Sequence, residues 1–330
     1  ANQVMKRIIV RTPNFIGDTV NITPCLELVK KEYPDAELII VGPEFVKDIF
    51  KYDKQVSGFI TFSSKKKRKL STYFSIIKEL RKYRGDLGII FVNTFISAVL
   101  FKLGKVKINI GYRKEGRSLL LDFSPKLNYQ KHYINRYASL FNEFIGNKYV
   151  TLPPLSLPHT GKATFHFSNA QPTIGLYLGG ENKGYRHYRP EQSVQLLRLL
   201  NENGYNLVLI GDADDNIQHT RYIAEARISN IINLTANTTV EEFINTISNV
   251  DVLVTIDSSA LHIAAAVGTP FIALMGLSTS PTSTIMPKVN FGHILKVENN
   301  LIREEDYIRN ITPELILENI RQLLAKQIAP

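Results

Sequence analysis

Residues 250–276 constrain the fold more than any other stretch of this chain. Two apolar runs of strand length, VDVLVTI and FIALM, lie near its two ends. Between them the sequence predicts a short helix over residues 261–267, which begins after three residues with helix-capping side chains, Asp257, Ser258 and Ser259. Two apolar strands joined by one short helix form a parallel β-α-β unit. The stretch therefore predicts an α/β protein built on a parallel sheet.

The start of this helix has two interpretations. A helix N-terminus offers unpaired N–H groups and the positive end of the helix dipole, so it favours an anion such as a phosphate. His262 lies one turn after Ser258 on the same face of the helix, within reach of the same ligand. The alternative is an ordinary capped helix with a histidine in the core. The stretch alone leaves both interpretations open.

Strand and helix patterns alternate along the whole chain in two successive series. The first series predicts strands at residues 7–11, 37–41, 59–62, 87–92 and 106–110, with helices at 19–31, from 44, and at 73–83, 97–103 and 129–144. After a proline-rich stretch, the second series predicts strands at 173–177, 206–210 and 231–233 and helices at 191–202, 214–227, 240–247 and 313–324. We predict two Rossmann-like, doubly wound domains, residues 1–160 and 161–330.

Composition is that of a globular protein, but the charge is divided unevenly. Of 330 residues, 44% are hydrophobic and 21% are charged, and no apolar run of about 18 residues predicts a transmembrane helix. The single cysteine, Cys25, excludes an internal disulfide. Residues 1–160 carry 27 Lys and Arg against 13 Asp and Glu, whereas residues 161–330 carry 13 against 17. The first half is therefore predicted to bind an anionic partner, for which nucleic acid, anionic lipid and a negatively charged sugar all qualify.

Open α/β sheets bind ligands at the carboxyl ends of their strands, and three loops at such ends contain polar residues. The first loop covers residues 14–18, between the first strand and the first helix. Gly17 permits the close approach of a ligand, and Asp18, which directly precedes the predicted helix, is either its N-cap or a residue that acts on the ligand. The local sequence favours the N-cap. No G-x-G-x-x-G pattern occurs here, which counts against a dinucleotide site.

The second loop, residues 179–189, follows the first strand of the second half. It combines glycines with Lys183, Arg186 and Arg189, and backbone N–H groups together with cations suit a diphosphate. A solvated, mobile loop is the alternative interpretation. The third loop begins at Asp257 and leads into the helix predicted at residues 261–267.

The three loops together resemble those of glycosyltransferase family 9, the ADP-heptose:lipopolysaccharide heptosyltransferases. The resemblance rests on the Gly-Asp pair of the first loop, on Arg186-His187-Tyr188, where the family has Lys-X-Trp, and on Asp-Ser-Ser…Leu-His…Gly-Thr-Pro in the third loop. It implies the GT-B architecture, in which two Rossmann-like domains face a cleft. It also implies that Asp18 is the base that takes the proton from the acceptor hydroxyl.

The resemblance further implies the reaction and the donor site. The reaction is transfer of heptose, with inversion, from ADP-heptose to a Kdo or heptose of the lipopolysaccharide inner core, at the cytoplasmic face of the inner membrane and without a metal or another cofactor. Lys183 and Arg189 are rivals of Arg186 as ligands of the diphosphate, and Glu241 is either a ribose ligand or a first-turn helix carboxylate. The implied donor-binding residues are Lys183, Arg186, Glu241, Asp257, Ser258, Ser259, His262 and Thr279.

An anionic acceptor fits the basic first half. The run of five cations at residues 65–69 is either a solvated loop or a contact for lipid phosphates and acidic sugars. A second basic loop follows the strand predicted at residues 106–110. The residues assigned to the acceptor are Asn14, Lys65, Lys66, Lys67, Arg113 and Arg117.

Two other functions remain open at this point. One is a different sugar-nucleotide transferase, or an epimerase, with the same architecture. The other is a non-catalytic protein that binds an anionic membrane or nucleic acid, which the basic charge supports although no known nucleic-acid module occurs in the chain. The expected partners are an ADP-sugar, an anionic lipopolysaccharide precursor and the inner membrane, with no nucleic acid.

Overall fold

The chain folds into two compact units, residues 1–158 and 159–330. The computed structural model describes residues 4–64, 68–276, 286–296, 308 and 310–329. Each unit is built on one sheet, and all strand pairs recorded in the two sheets are parallel. Among the described residues no helix is both long and apolar enough to span a membrane.

The first unit alternates strands and helices in chain order. Its elements are β1 (Arg7–Arg11), α1 (Ile16–Asn21), α2 (Thr23–Glu32), β2 (Glu37–Pro43), α3 (Val46–Ile49), β3 (Val56–Phe62), α4 (Leu70–Tyr83), β4 (Leu87–Ile90), α5 (Phe95–Leu103), β5 (Ile108–Gly111) and α6 (Tyr133–Phe144). The strand order is β3-β2-β1-β4-β5. The central strands are almost entirely apolar because helices cover a parallel sheet on both faces.

The second unit repeats this scheme. Its elements are β6 (Thr173–Tyr177), α7 (Pro190–Glu202), β7 (Asn206–Leu209), α8 (Asn216–Ala226), β8 (Ile231–Asn233), α9 (Val240–Asn249), β9 (Val252–Ile256), α10 (Ser259–Val267), β10 (Phe271–Met275), β11 (Gly292–Lys296) and α11 (Pro313–Ile328). The strand order is β11-β10-β9-β6-β7-β8. The predicted β-α-β unit is confirmed as β9-α10-β10, with Ile272 paired to Val254 in parallel register.

The helix predicted at residues 19–31 is wrong in its start and its continuity. α1 begins earlier, at Ile16, and the helical structure is interrupted at Ile22 before α2 begins. Pro24 causes the break, since it has no N–H to donate to the carbonyl of Val20. The hydroxyl of Thr23 donates to that carbonyl instead, at 2.8 Å.

Two further expectations also differ from the structure. The helix predicted at residues 129–144 begins only at Tyr133, where the side chain of His132 accepts a hydrogen bond from the N–H of Ile134. β11 was not predicted, because its five residues, GHILK, mix polar and apolar types and lie at the edge of the sheet. Neither difference changes the predicted class, and the two doubly wound sheets are confirmed.

Each sheet has a point where the order of its strands reverses. In the first unit the chain moves outward from β1 to β3 and then returns to the other side of β1 with β4. In the second unit it moves from β6 to β8 and returns beside β6 with β9. Loops that follow the two strands at such a switch point diverge and leave room for a ligand. The fold thus places one candidate site after β1 and β4, and another after β6 and β9.

Candidate functional site

The switch point of the second unit brings the second and third predicted loops together. Arg186 lies in the loop after β6, and Asp257 is the first residue after β9. The Nη1 atom of Arg186 donates a hydrogen bond to the backbone carbonyl of Asp257 at 3.3 Å. The guanidinium therefore lies next to the first residues of α10, as a diphosphate ligand requires.

The start of α10 has the geometry of an anion site. Ser258 is the N-cap, and its Oγ accepts the N–H of Ala260 at 3.3 Å and lies 2.9 Å from the hydroxyl oxygen of Thr255. Ser259 is the first helical residue, and no acidic residue occurs in the first turn. His262 is buried within the helix. The first turn of α10 thus presents N–H groups and hydroxyls and contains no carboxylate of its own, while Asp257 lies just before the N-cap.

Lys183 is held by carboxylates of its own unit. Its Nζ lies 2.5 Å from Oδ2 of Asp212 and 3.9 Å from Oδ2 of Asp215. Asp212 follows β7, the neighbour of β6 on the side away from β9. Among the rival cations, Arg186 lies toward α10, whereas Lys183 pairs with carboxylates on the β7 side of the loop.

Asp215 is a site residue that the sequence analysis missed. Its carboxylate is fully buried and accepts the N–H of Gly180 at 2.9 Å and the N–H of Asp212 at 3.0 Å. Burial, together with the hydrogen bond to Asp212, raises the pKa of Asp215 from 3.8 to about 6. For Asp212 burial, the largest single effect, also raises the pKa, but the hydrogen bonds from Lys183 and Asp215 and the charge of Lys183 together outweigh it, and the pKa is lowered. Asp215 thus fixes the glycine turn at the start of the second loop.

The capping pattern was the available signal for this residue. Asp212 and Asp215 form a capping box around a short 3₁₀ turn, Ala213–Asp215. The sequence predicts a helix at residues 214–227 here and gives these aspartates no role in the site. Only the tertiary contact with Gly180 shows that the turn supports the neighbouring loop.

The rest of the Arg186-His187-Tyr188 triplet anchors the loop. Tyr188 is fully buried, and its hydroxyl donates to the carbonyl of Ile311 at 2.5 Å. His187 is also buried, which lowers its pKa, and its ring Nδ1 lies within hydrogen-bonding distance of the carbonyl of Gly184. Within the triplet, only Arg186 points toward α10.

Glu241 lies in the first turn of α9, which begins at the same edge of the sheet. Thr239 caps this helix in a capping box with Glu242, so the neighbouring Glu241 is not needed for the cap. Thr279, the remaining predicted donor residue, lies outside the described residues.

In the first unit, Asp18 lies at the switch point but is not the N-cap. The N-cap of α1 is Phe15, whose side chain makes no capping hydrogen bond, and Asp18 is the third residue of the helix. Its carboxylate is half-buried. Burial, and then the nearby Asp18 carboxylate, raise the pKa of Tyr137 well above its ordinary value. The structure therefore corrects the N-cap interpretation and places Asp18 beside α6.

A buried arginine supports the loop that leads to Asp18. Arg11, the last residue of β1, donates through Nη2 to Oδ1 of Asn14 at 2.9 Å. Its guanidinium lies 4.9 Å from the ring centroid of Phe62, and Arg68 lies 4.2 Å from the same ring. Burial, and then the charge of Arg68, lower the pKa of Arg11 to about 9. Asn14 thus holds its own loop while remaining exposed.

Arg117 was predicted to contact the acceptor, and the structure contradicts this. The side chain is fully buried. It donates to the carbonyls of Tyr112 (2.8 Å) and Val92 (2.5 Å) and to the hydroxyl of Ser97 (3.2 Å), and burial lowers its pKa to about 10. It therefore ties the loops after β4 and β5 together, while Arg113 in the same basic loop is exposed.

The remaining predictions concern the lysine run and metal binding. Lys65, Lys66 and Lys67 lie outside the described residues. Within the part of the chain that the structure describes, no group of three or more His, Cys, Asp or Glu side chains could hold a metal ion. The expectation that no metal takes part stays a prediction.

A protein-family model matches most of the chain. The model of glycosyltransferase family 9 (heptosyltransferase) matches residues 73–306. Lipooligosaccharide heptosyltransferase 2 of Haemophilus influenzae is 27% identical and aligns over 97% of this chain and 99% of its own length. Lipopolysaccharide heptosyltransferase 2 of Escherichia coli K12 is 24% identical over 98% of this chain and 100% of its own length.

Solved structures share the fold over nearly the whole chain. The ADP-heptose lipopolysaccharide heptosyltransferase II of Escherichia coli gives a TM-score of 0.85 at 22% identity and covers 98% of this chain and 100% of its own. A family 9 glycosyltransferase of Veillonella parvula gives 0.86 at 18% identity, with 97% of both chains covered. These likenesses and the two sheets confirm the predicted GT-B fold class.

Replacing Arg117 tests whether it is structural. We expect Arg117→Lys to lower the free energy of unfolding by about 2–4 kcal/mol, because a lysine cannot reach all the buried acceptors and leaves some of them unpaired. Urea denaturation measures this. The matched control, Arg113→Lys, is exposed and is expected to stay within about 0.5 kcal/mol. Unchanged stability with a raised acceptor KM for Arg117→Lys would restore the acceptor role.

The raised pKa of Asp215 predicts a pH dependence of stability. The carboxyl of Asp215 binds its proton near pH 6 in the folded chain and near pH 3.8 in the unfolded chain. Its protonation therefore stabilises the folded state at low pH, and this stabilisation is lost as the pH rises from about 4 through 6. Replacement by Asn removes that dependence. We expect Asp215→Asn to be more destabilising at pH 5 than at pH 7, by about 1–2 kcal/mol, in urea denaturation. Asp214→Asn, exposed in the same turn, serves as the control, and an equal loss at both pH values contradicts the prediction.

Proposed function

The chain belongs to glycosyltransferase family 9, and we propose that it transfers heptose, with inversion, from ADP-heptose to the inner core of a lipopolysaccharide precursor. Family membership makes it a glycosyltransferase, which removes the alternative of a non-catalytic binding protein. The observation that carries the finer proposal is the contact between Arg186 and the start of α10 at the switch point of the second unit.

The donor site fits a nucleoside diphosphate sugar. The N-terminus of α10 supplies N–H groups and a positive dipole end, and the guanidinium of Arg186 adds a charged N–H donor group beside it. Relatives support ADP as the nucleotide. One Escherichia coli heptosyltransferase of the same fold was solved with ADP, and again with ADP-2-deoxy-2-fluoro heptose.

We infer that Arg186, rather than Lys183, contacts the diphosphate. The ammonium of Lys183 already pairs with Asp212, and an anion would have to compete with that ion pair. Asp215 and the two anchoring residues of the triplet hold the loop in place. The other donor contacts proposed are Glu241, Asp257, Ser258, Ser259, His262 and Thr279.

The acceptor reaction is proposed for the switch point of the first unit. The carboxylate of Asp18 removes the proton of the acceptor hydroxyl. At the same time the oxygen of that hydroxyl forms a bond to the anomeric carbon of the heptose. The bond from that carbon to the β-phosphate oxygen of ADP breaks, and the electron pair leaves with ADP. The growing charge on ADP is stabilised by Arg186 and the α10 N-terminus.

The charge of the first unit supports the proposed acceptor. An inner-core precursor carries acidic sugars on a lipid, and a surplus of cations attracts it. Arg113 and the run at residues 65–69 are the proposed contacts, with Asn14 shaping the loop of the base. The proposed location is the cytoplasmic face of the inner membrane, with no metal and no nucleic acid.

Replacing Asp18 tests the base. We expect Asp18→Asn to lower kcat by about 10²–10⁴, because the amide cannot accept the proton, with little change in ADP affinity. Asp48→Asn is the matched control, since Asp48 is also the third residue of a helix in the same unit. Each substitution is expected to cost at most about 1 kcal/mol of helix-dipole energy. Near-native turnover in Asp18→Asn would remove Asp18 from the mechanism.

Three variants of one loop test the diphosphate ligand. We expect Arg186→Gln to weaken ADP binding at least tenfold, because it removes the guanidinium beside α10. Lys183→Gln and Arg189→Gln keep that group and are expected to have smaller effects. Titration calorimetry with ADP measures all three. A larger loss for either comparison variant would reassign the ligand, and tight binding of another nucleotide but not ADP would replace the proposed donor.

A further inference from the structure

The first two turns of α4 expose apolar side chains that the core does not use. The side of the helix that packs on the core carries Tyr73, Ile76, Ile77 and Leu80. Leu70 and Phe74 lie beside this stripe and are 74% and 68% exposed. Because they are four residues apart, they are neighbours on the helix surface and form one apolar patch.

Positive charge surrounds this patch. Residues 68–84 contain six Lys and Arg and one acidic residue, Glu79, which pairs with Lys82. Lys69 and Lys78 are exposed on either side of the patch, and the first turn of α4 contains no acidic residue. Exposed apolar groups flanked by cations fit a partner that is apolar inside and anionic outside, which is the chemistry of an anionic bilayer surface.

The patch is firmly attached to the body of the first unit. Arg68 lies 4.2 Å from the ring centroid of Phe62, the last residue of β3. At the other end of the helix, Nε of Arg81 donates to the carbonyl of Leu103 at 2.8 Å. The apolar side chains are therefore presented by a fixed helix, which loses little conformational entropy when it binds.

The patch also lies at the edge that carries the proposed base. α4 follows β3, so its first turn is at the carboxyl edge of the sheet, where α1 and Asp18 follow β1. The order β3-β2-β1 separates the ends of these two strands by two strand spacings, about 10 Å. A surface that contacts Leu70 is thus close to the edge where the acceptor hydroxyl reacts.

We infer that the start of α4 docks this enzyme on an anionic bilayer, with Leu70 and Phe74 inserted at the interface and Lys69 and Lys78 on lipid phosphates. The inference rests on the proposed function in one respect, because a lipid-anchored acceptor is the reason for an enzyme to sit there. It goes further by assigning the contact to one helix.

Vesicle sedimentation with the full chain tests this. Vesicles that contain phosphatidylglycerol are compared with vesicles of phosphatidylcholine alone, at low and high salt. We expect binding to the anionic vesicles only, weakened by salt, and at least a tenfold loss for the double variant Leu70→Gln/Phe74→Gln. The matched control, Val150→Gln/Ile217→Gln, removes two apolar side chains that are 96% and 82% exposed elsewhere, and is expected to bind within twofold of the unaltered chain.

Several results would overturn the inference. They are no vesicle binding by the unaltered chain, full binding by the α4 double variant, or equal losses in both double variants. A dimer in analytical ultracentrifugation that becomes a monomer in the α4 double variant would show instead that a second copy covers the patch. Should that variant not fold, Lys69→Gln/Lys78→Gln decides, since it keeps the apolar patch and is expected to lose most of the preference for anionic vesicles.

A transfer assay on a deacylated, soluble acceptor separates this inference from the proposed function. The α4 double variant is expected to keep native turnover there, because Leu70 and Phe74 serve only the bilayer. Loss of that turnover together with intact vesicle binding would overturn the docking role. If the unaltered chain transfers no heptose while its vesicle binding depends on α4, the docking surface stands and the proposed function falls.

Discussion

The carboxyl ends of all strands in a parallel sheet lie at the same edge, and the positions of the functional loops in this protein depend on that constraint. Every loop that follows a strand is delivered to that edge, and the reversal of strand order opens a gap there. Both units follow this scheme, with gaps beside β1 and β6. Residues 71 positions apart in sequence, Arg186 and Asp257, thereby come into hydrogen-bonding contact. The proposed chemistry is located at the two gaps because the sheets leave nowhere else for diverging loops.

Loops at such an edge have backbone polar groups that no strand pairing satisfies, and two buried charges of opposite sign, one in each unit, each bind such groups from two loops. Arg117 donates to carbonyls of the loops after β4 and β5. Asp215 accepts N–H groups from the loops after β6 and β7. A buried backbone group without a partner costs free energy comparable to a lost hydrogen bond. One side chain therefore fixes the shape of two loops in each unit, and neither charge is available to a ligand.

The two units attract anions over different distances. In the second unit the attraction is local, through one helix N-terminus and one guanidinium, and such a field falls off within the first turn. The first unit has a large surplus of cations spread over its loops and α4. That surplus acts over the Debye length, about 10 Å at moderate salt. A short-range site suits a small nucleotide held in one pose, while a broad field suits a large anionic acceptor or a membrane surface.

The sequence by itself determined the fold class and most of the elements. β1, β6 and β8 have the predicted bounds, because buried parallel strands are short apolar runs bordered by turn residues. The three loops and the family also followed from local patterns. Tertiary structure decided what each charged residue does. Arg113 and Arg117 lie in the same basic loop of the sequence, yet Arg117 is buried and Arg113 is exposed. Asp18 precedes a predicted helix, yet it is not the helix cap. Burial and long-range hydrogen bonds depend on which strands are neighbours in the sheet, and no local pattern of residues encodes that order.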